Sequence, residues 1–304
     1  MKKELKRYQD FVRLIGPEVK FRENLAPRTT LGIGGKSDLF YVAKKPEDLI
    51  RVVLAAKRFS IPYFILGGGS NLLVSDKGFR GLVIKNDCGQ IKLEKNRIIC
   101  QSGALLKDAL SIATRNSLSG LEFAVGIWGT VGGAAYGNAG AFGQNIGNLL
   151  EEGVLLTASG GIEKVKKDFF EFRYRHSKLK SSGDILLSAV FKLKKGDKKK
   201  IESKIKENLA QRKTKIPQRE NSAGCYFKNP KVNGKIIPAG RLLEQVGAKS
   251  LRVGDAGVYD KHANIVVNLG KAKAKDVLFL TDILKRRVKQ KFNIDLEEEV
   301  IFLR

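Results

Sequence analysis

The glycine-rich stretch at residues 126–143 limits what this chain can fold into more than any other segment. It reads GIWGTVGGAAYGNAGAFG and holds seven glycines and four alanines, so it offers little side-chain surface for a hydrophobic core. A glycine inside a regular element costs about 0.5–1 kcal/mol relative to alanine. A cluster this dense therefore indicates close approach of the backbone to a ligand, because a chain without Cβ atoms lets a flat ring or a phosphate lie on its main chain.

A second glycine cluster supports the same interpretation. Residues 66–72 read LGGGSNL and follow the apolar run at 61–65, which is typical of a buried strand. Two such loops, each with bare N–H groups suited to phosphate oxygens, predict a long ligand that contains a diphosphate. Tight turns between strands remain the alternative for either loop taken alone.

The balance of charge indicates anionic partners. The 304 residues include 57 basic and 31 acidic side chains, a formal net charge of +26, and the resulting positive potential attracts anions. Nucleic acid is one candidate class, but the lysines occur in short runs with few interleaved aromatic residues, whereas base stacking requires such residues. We therefore interpret the charge as a solvated, lysine-rich surface that favours phosphorylated small molecules, and we expect no nucleic-acid partner.

The sequence indicates a protein of the reducing cytoplasm. No apolar stretch of signal-peptide length follows the basic start, and no run reaches about 20 apolar residues, the length of a membrane span. Cys88, Cys100 and Cys225 are odd in number and form no CxxC pair, so we expect neither a disulfide framework nor a metal site. We expect a cytoplasmic protein without a membrane partner.

Hydrophobic periodicity predicts an α+β protein of three regions. Strands are expected at 38–42, 61–66, 72–74, 81–85, 97–100, 153–157, 183–191, 264–268 and 299–303, and helices at 1–16, from residue 46 onward, at 105–116, around 201–209, at 240–246 and at 274–292. Residues 221–230 show no periodicity, and 254–262 read as a loop. The division is a first subdomain at 1–85, a second at 86–197 and a third domain at 198–304, with the charged segment 194–200 as the linker.

Two familiar nucleotide-binding motifs do not fit. Gly35-Lys36-Ser37 matches the end of a P-loop, but that motif requires a glycine where Thr30 stands, and the residues that follow predict a strand instead of a helix. The loop at 67–69 also opens no helix, because Leu72–Val74 reads as extended. This pattern argues against a Rossmann dinucleotide fold.

A series of short blocks between about residues 24 and 300 carries a resemblance to one family. The blocks are TTLGIGG (29–35), LGGGSNL (66–72), GIWGTVGGA (126–134), NAG (138–140), YRHS (174–177), SAGCYFKNP (222–230), KHAN (261–264) and LEEEV (296–300). In this order they resemble the bacterial UDP-N-acetylenolpyruvoylglucosamine reductases, the flavoenzymes that complete UDP-N-acetylmuramate. The resemblance implies a two-part FAD-binding region of the vanillyl-alcohol-oxidase type followed by an α+β substrate-binding domain. The short interval between Arg175 and Ser222 resembles the subgroup that lacks an extra tyrosine-bearing loop.

The resemblance implies FAD as the bound cofactor and NADPH as the hydride donor. The residues that match the family's FAD-binding motifs are Thr30, Gly67, Gly68, Gly69, Ser70, Asn71, Gly126, Gly129, Thr130, Gly132, Gly133, Ala134, Asn138 and Gly140. Three positions depart from the family pattern: Trp128 stands where proline is usual, Cys225 where many members have serine, and Glu298 where proline is frequent. A large ring at position 128 could alter the edge of the flavin pocket.

The reaction that the resemblance implies adds a hydride to the terminal carbon of an enolpyruvyl ether, so negative charge develops on the conjugated carboxylate. Arg175 matches the family's arginine, and a planar guanidinium can bind both carboxylate oxygens. The alpha carbon then needs a proton from a general acid. Cys225 is expected to supply it, because a thiol, with a reference pKa of about 8.5, keeps its proton at neutral pH yet releases it more readily than a hydroxyl. Glu299 matches the family's last glutamate and is expected to stabilise or protonate the enol carboxyl.

The expected substrate is a UDP-sugar and the expected oligomeric state is a monomer. The substrate-binding residues implied by the resemblance are Tyr174, Lys215, Lys228 and Asn229. Without the resemblance, the sequence gives no reason to choose the assigned catalytic and substrate-binding residues. A lone cysteine such as Cys225 is commonly an inert buried residue, and Glu299 could pair with one of many lysines. Two alternatives stay open, another FAD oxidoreductase of the same fold that acts on a different anionic substrate and, from a different class, a basic nucleic-acid-binding protein.

Overall fold

The structure is a computed structural model that describes residues 2–217 and 220–304. The chain forms two compact units, each assembled from separate segments. The first unit consists of Met1–Phe21, Leu39–Gly68 and Gly81–Gln211, and the second of Arg22–Asp38, Gly69–Arg80 and Arg212–Arg304. The division into three regions that we drew from the sequence stays a prediction.

The described residues contain helices and strands in nearly every part of the chain. The α-helices are α1 (Lys2–Ile15), α2 (Pro46–Arg58), α3 (Leu106–Arg115), α4 (Val131–Tyr136), α5 (Leu179–Ser182), α6 (Lys198–Lys213), α7 (Ala239–Gln245) and α8 (Ala274–Phe292). The strands are β1 (Lys20–Phe21), β2 (Ser37–Ala43), β3 (Tyr63–Leu66), β4 (Leu72–Val74), β5 (Phe79–Asn86), β6 (Ile91–Glu94), β7 (Arg97–Gln101), β8 (Leu118–Ser119), β9 (Gly140–Ala141), β10 (Gln144–Asn145), β11 (Leu150–Leu156), β12 (Ile162–Lys166), β13 (Ile185–Lys192), β14 (Lys194–Lys195), β15 (Asn221–Cys225), β16 (Lys231–Val232), β17 (Lys235–Ile236), β18 (Arg252–Val253), β19 (Ala256–Val258), β20 (Ile265–Asn268) and β21 (Ile301–Leu303). None of these helices is long and apolar enough to cross a membrane.

The helices begin where the sequence supplies starting signals. Pro46 stands in the first turn of α2, where its missing N–H is not needed, and Glu47 and Asp48 lie at the positive end of the helix dipole. The apolar stripe predicted for this helix is its buried face. Helix α8 runs from Ala274 to Phe292, the range predicted from the spacing of its apolar residues.

The first unit is built on two sheets. A four-stranded sheet has the order β1-β2-β5-β3, and an antiparallel five-stranded sheet has the order β12-β11-β13-β7-β6. Side chains of α1 and α2, among them Phe11 and Leu49, pack with the first sheet in one hydrophobic cluster. Side chains of α3 and α4, among them Leu106 and Val131, pack with the second sheet in another cluster.

The second unit has its own core. Strands β15, β20, β19 and β18 form an antiparallel sheet in that order, and β4 pairs in parallel with β21. The sheet packs with α7 and α8 around Phe227, Leu243 and Leu280, all fully buried. Residues far apart in sequence therefore share one core, because β4 and β21 bring the segment after the first glycine loop beside the C-terminal segment.

Four segments differ from what the sequence indicated. The segment 194–200 is not an open linker, because Lys194–Lys195 pairs with β8 and α6 already begins at Lys198. Residues 221–225, which show no periodicity, form β15, and residues 256–258 within the predicted loop form β19. The glycine-rich stretch contains the short helix α4, which its low side-chain volume concealed.

Candidate active site

The two glycine clusters predicted to hold a ligand meet in the first unit. A Cβ atom added to Gly67 would lie 2.6 Å from Oγ1 of Thr130, and one added to Gly68 would lie 2.8 Å from Cα of Gly129. Real Cβ atoms do not approach other heavy atoms so closely. Gly129 also has φ +137°, a conformation that a side chain disfavours. Both clusters therefore need glycine for their contact with each other, in addition to any contact with a ligand.

The start of α4 is satisfied by the protein itself. Thr130 is the N-cap, and its side chain accepts a hydrogen bond of 3.3 Å from the N–H of Gly133. The N–H of Val131 donates to the carbonyl of Ala104 at 2.8 Å, and that of Gly132 donates to the carbonyl of Ser102 at 2.7 Å. The N–H groups of residues 131–133, which we expected to be bare, are thus already used by protein acceptors.

The first glycine loop is different. Within the described part of the chain, the backbone N–H groups of Gly68 and Gly69 have no protein acceptor. Gly69 has φ +64°, and a Cβ atom there would lie 2.1 Å from the carbonyl oxygen of Arg28, so the turn requires glycine. Successive N–H groups in such a turn are the usual partners of phosphate oxygens. The loop fits the diphosphate part of a dinucleotide such as FAD.

Asn138, Gly140 and Arg175 are brought together in the first unit. Asn138 is buried with φ +44°, and its side chain donates to the carbonyl of Arg173 at 2.9 Å and accepts from the N–H of Gly147 at 2.9 Å. Arg175 donates through Nη1 to the carbonyl of Gly140 at 3.2 Å. The predicted cofactor-binding asparagine and the predicted catalytic arginine therefore belong to one hydrogen-bonded group.

Arg175 has an unusual backbone. Its φ of +53° lies in the left-handed region, which costs a non-glycine residue of order 1–3 kcal/mol and is concentrated at functional sites. The Nζ atom of Lys180 donates to the Arg175 carbonyl at 2.9 Å and helps to hold this conformation. The guanidinium lies 5.4 Å from the ring centre of Tyr174, which is 46% exposed. The arrangement orients the guanidinium with several contacts, as a recognition arginine requires.

Two predicted FAD-binding residues of the second unit hold main-chain segments. Thr30 donates through Oγ1 to the carbonyl of Ser222 at 2.7 Å, and its N–H donates to the carbonyl of Gly69 at 3.0 Å. Asn71 donates through Nδ2 to the carbonyl of Glu299 at 3.0 Å. Both side chains therefore connect the first glycine loop to the segments that carry the predicted acids.

The segments that carry Cys225 and Glu299 are joined by a hydrogen bond to one carbonyl group, that of Tyr226. The N–H of Glu299 donates to the carbonyl of Tyr226 at 2.7 Å, and Tyr226 directly follows Cys225. Cys225 is half-buried at the end of β15, opposite Ile265, and the ladder is irregular between Ser222 and Cys225. Two groups 74 positions apart in sequence, the difference between 299 and 225, thus share one small region of the second unit.

The other two cysteines are buried, and the pKa values of their thiols are raised. Burial raises the pKa of Cys88 to about 11, with the nearby carboxylate of Asp48 as a second cause, and raises the pKa of Cys100 to about 12. Both thiols stay protonated at neutral pH, and neither is exposed to solvent. Cys225 is the most accessible of the three cysteines. In the described residues, no group of three or more His, Cys, Asp or Glu side chains has an arrangement that could hold a metal ion.

The predicted substrate-binding residues of the second unit have protein partners. Lys228 forms an ion pair with Glu297, and its N–H donates to the carbonyl of that residue at 2.8 Å. Asn229 accepts through Oδ1 from the N–H of Ala239 at 2.9 Å, at the start of α7. Lys215 is exposed. Of these side chains, the structure gives a defined polar role to Lys228 and Asn229.

Sequence reasoning missed two residues that organise the site. Ser102 accepts the N–H of Gly132 through its carbonyl, and Asn264 holds the backbone of Tyr226 and Phe227. A signal existed for Asn264 alone, since it ends the KHAN block, but the block suggested no chemistry. A backbone acceptor such as Ser102 leaves no trace in the sequence, because any residue can supply its carbonyl.

Comparison with known families defines the class of protein. Residues 37–166 match the family described as FAD binding domain, and residues 216–303 match the family described as UDP-N-acetylenolpyruvoylglucosamine reductase, C-terminal domain. The chain is an FAD-dependent oxidoreductase of α+β fold, with an FAD-binding domain followed by the C-terminal domain of that reductase family. The fold class expected from the sequence is confirmed.

Full-length relatives define the family. The chain is 40% identical over 302 residues to the UDP-N-acetylenolpyruvoylglucosamine reductase of Clostridium tetani, covering 97% of each chain. It is 43% identical over 289 residues to that of Desulforamulus reducens, covering 94% of each. The crystal structure of the enzyme from Thermus caldophilus superposes with a TM-score of 0.79 at 37% identity, over 94% of this chain and 99% of that one. The chain belongs to the UDP-N-acetylenolpyruvoylglucosamine reductase family, the oxidoreductases of peptidoglycan precursor synthesis.

Proposed function

We propose that this protein reduces the enolpyruvyl ether of UDP-N-acetylglucosamine enolpyruvate to UDP-N-acetylmuramate, with NADPH as the source of the hydride. Family membership supports the reaction class. The observation that carries the proposal for this chain is the hydrogen bond of 2.7 Å from the Glu299 N–H to the Tyr226 carbonyl. It holds a carboxyl group and the thiol of Cys225 on adjacent segments, as protonation of a carbon next to a carboxylate requires.

The residues of the two glycine clusters fit FAD. The N–H groups of Gly68 and Gly69 are suited to its diphosphate, and Gly129 leaves a main-chain surface without a Cβ atom beside them. Gly126, Gly132, Gly133 and Ala134 of the second cluster, and Ser70 next to the first loop, are also assigned to FAD because they match the motifs of the family. When bound, FAD supplies a carrier that takes a hydride from NADPH and delivers it to the substrate.

Arg175 is assigned to the substrate carboxylate. A guanidinium is always charged and offers two parallel N–H groups to a carboxylate, so it stabilises the negative charge that develops there during hydride addition. The bond from Nη1 to the Gly140 carbonyl and the contact with the Tyr174 ring orient the group in advance. Preorganised charge of this kind is usually the largest contribution to catalysis.

Cys225 is assigned as the general acid. The hydride adds to the terminal carbon of the enolpyruvyl group and its electron pair is passed toward the carboxylate as an enolate. The Sγ–H of Cys225 then breaks and its proton forms the new C–H bond at the alpha carbon, and the thiolate takes a proton from water before the next cycle. Glu299 is assigned to stabilise or protonate the enol carboxyl.

Substrate binding is assigned to Tyr174, Lys215, Lys228 and Asn229, with the two lysines as contacts for the phosphates. Lys228 is paired with Glu297, an exposed carboxylate, so a substrate phosphate can replace that partner at small cost, because exposed ion pairs contribute only about 0–1 kcal/mol. We also propose that the protein acts in the cytoplasm, as a monomer, without a nucleic-acid partner. Its charge of +26 then serves to attract anionic nucleotides.

The assignment of Cys225 is tested by separating the two halves of the reaction. In Cys225→Ala, reduction of the bound flavin by NADPH should stay near the native rate, because that half needs no proton at the substrate carbon. Reoxidation by substrate should slow by about 10²- to 10⁴-fold, the typical loss of a general acid. Cys225→Ser should recover much of this loss because it keeps a donor. Rapid-mixing absorbance of the flavin measures each half.

A buried thiol provides the control. Cys88→Ala removes a fully buried sulfhydryl to which no role is assigned, so both half-reactions should keep native rates once the protein is folded. If Cys225→Ala reoxidises with substrate as fast as Cys88→Ala, the thiol is a packing group and Glu299 becomes the next candidate acid.

A further inference from the structure

Asn264 is a buried asparagine with an unusual set of partners. It lies directly before β20, is 3% exposed and belongs to the KHAN block, for which neither chemistry nor position suggested a role. A buried amide needs hydrogen bonds for both its N–H₂ and its C=O group, since an unsatisfied one costs about 1–3 kcal/mol. The hydrogen-bond partners of Asn264 therefore indicate which part of the chain this residue holds in place.

All of these partners belong to the segment that carries the assigned acid. The side-chain Oδ1 accepts from the N–H of Phe227 at 2.9 Å, and the side-chain Nδ2 donates to the carbonyl of Phe227 at 2.8 Å. The backbone carbonyl of Asn264 accepts from the N–H of Tyr226 at 2.7 Å. One residue thus fixes three backbone polar groups of Tyr226 and Phe227, the two residues immediately after Cys225.

The fixed segment in turn holds the C-terminal segment. The carbonyl of Tyr226 accepts from the N–H of Glu299 at 2.7 Å and from the N–H of Val300 at 3.4 Å. The Tyr226 side chain is buried and hydrogen-bonded to Thr281 of α8, and its burial raises the pKa of the phenol, so the ring stays a neutral anchor. A shift of Tyr226 would therefore move Cys225 and Glu299 relative to each other.

The strand ladder alone does not determine this position. Cys225 is opposite Ile265, but the register of β15 against β20 changes between Ser222 and Cys225, where Gly224 has φ +77°. A bulge of this kind loosens the ladder and re-aims the side chains beside it. The side chain of Asn264 acts where the regular pairing has ended.

We propose that Asn264 is a positioning residue that sets the register of Cys225 against Glu299 for delivery of the proton to the substrate carbon. The amide does not touch the reacting atoms and acts by clamping Phe227. The inference rests on the proposed function, because it takes Cys225 and Glu299 as the groups that serve the substrate carboxyl and its alpha carbon. Displacement of a reacting group by about 1 Å can cost about 10²-fold in rate.

Asn264→Asp and Asn264→Ser test the clamp. The aspartate keeps the shape and the acceptor for the Phe227 N–H but replaces the donor by an oxygen that repels the Phe227 carbonyl. The serine is too short to reach both groups and introduces no buried charge, so it serves if the aspartate variant does not fold. Asn208→Asp is the matched control, since Asn208 is equally buried and its Nδ2 donates to a single backbone carbonyl, that of Glu122, at 3.1 Å.

The first readout needs neither cofactor nor turnover. The rate of alkylation of Cys225 by iodoacetamide should change at least about threefold in the Asn264 variants and remain native in Asn208→Asp, because only the former alters the setting of the thiol. Cys88 and Cys100 are fully buried and serve as internal references within each folded protein. A native alkylation rate in both Asn264 variants would overturn the proposal.

The second readout is the ratio of the two half-reactions. Reoxidation of the flavin by substrate should slow by about 10- to 100-fold in the Asn264 variants while reduction by NADPH stays near native. Equal loss in both halves, as a general loss of stability would give, overturns the positioning role. If Cys225→Ala has native reoxidation but Asn264→Asp alters alkylation, the clamp is real and the assignment of Cys225 as acid is wrong. If Cys225→Ala is slow and the Asn264 variants are native, the clamp is wrong and the proposed function stands.

Discussion

Gly68→Ala tests whether the glycine clusters are required by each other or by the cofactor alone. The added Cβ atom would lie 2.8 Å from Cα of Gly129 and 3.5 Å from its N and C atoms. This is about 0.7–1.2 Å less than the optimum separation of two carbon atoms, about 3.5–4.0 Å. Gly68 does not have a positive φ, so the substitution adds no backbone strain and its effect is steric.

The size of the expected effect follows from what the added Cβ atom meets, because the backbone of Gly129 cannot rotate away. Overpacking against a rigid neighbour costs about 1–3 kcal/mol. If the two loops separate to relieve the clash, this free energy is lost from FAD binding. Since about 1.4 kcal/mol corresponds to a tenfold change in a dissociation constant, the dissociation constant for FAD should become roughly 5- to 150-fold larger. If the loops stay together, the same free energy is lost from the stability of the apoprotein.

The assay measures both quantities on one protein. FAD is titrated into the apoprotein by quenching of Trp128, the single tryptophan, which lies within the second glycine cluster, and the apoprotein is unfolded with denaturant. Gly89→Ala is the control, because its Cβ atom would meet its nearest neighbour, the Asp87 carbonyl oxygen, at an ordinary 3.6 Å. If Gly68→Ala binds FAD and resists denaturant as well as Gly89→Ala does, the steric reasoning is refuted. Lower stability of the apoprotein, measured without FAD, would show that the two clusters require glycine for their contact with each other.

Two further predictions concern the thiols and the start of α8. At pH 7–8 iodoacetamide should modify Cys225 and spare Cys88 and Cys100, because the raised pKa values of about 11 and about 12 suppress the thiolates of the latter two; peptide mapping checks this. Above pH 9 these two thiols begin to ionise in the unfolded chain but not in the folded protein. The free energy of unfolding should therefore fall between pH 9 and pH 12, as unfolding measured at stepped pH would show. Asp76→Ala should lower the free energy of unfolding by about 0.5–2 kcal/mol, because the Asp76 carboxylate accepts from the N–H groups of Ala274 at 2.8 Å and Lys275 at 3.1 Å and so caps the start of α8. The control Asp295→Ala removes an exposed ion pair with Lys289 and should change the free energy of unfolding by less than about 1 kcal/mol. Equal effects of the two variants in denaturant titrations would contradict the capping role of Asp76.

The sequence predicted those elements whose signals are local. Helices α2 and α8 and strands β3, β4 and β7 carry their hydrophobic period and their boundaries within about 20 residues. The family blocks predicted the FAD-binding region and the substrate-binding domain for the same reason, since each block is a short motif with its own backbone demand. Gly69 is an example, because it has a positive φ and a Cβ atom there would clash with the Arg28 carbonyl.

Elements that depend on distant partners were not predictable. Residues 221–225 read NSAGC with no alternation, yet they form β15 because they pair with β20, which lies about 40 positions further along the chain. The helix α4 is rich in glycine, which disfavours helices, and is held by its N-cap Thr130 and by carbonyls of Ala104 and Ser102. In both cases tertiary hydrogen bonds override local propensity, and the sequence of the segment alone does not contain them.

The same distinction explains why the candidate site had to be assembled from the structure. The sequence could nominate Cys225 and Glu299 only through separate motifs, and nothing in either motif states a distance. The structure joins them through one acceptor, the Tyr226 carbonyl, and a backbone acceptor has no residue signature. Asn264 fixes the next peptide with its side chain, so this contact depends on residue identity. Substitutions at Asn264 are therefore the direct means of moving the thiol without changing either assigned group.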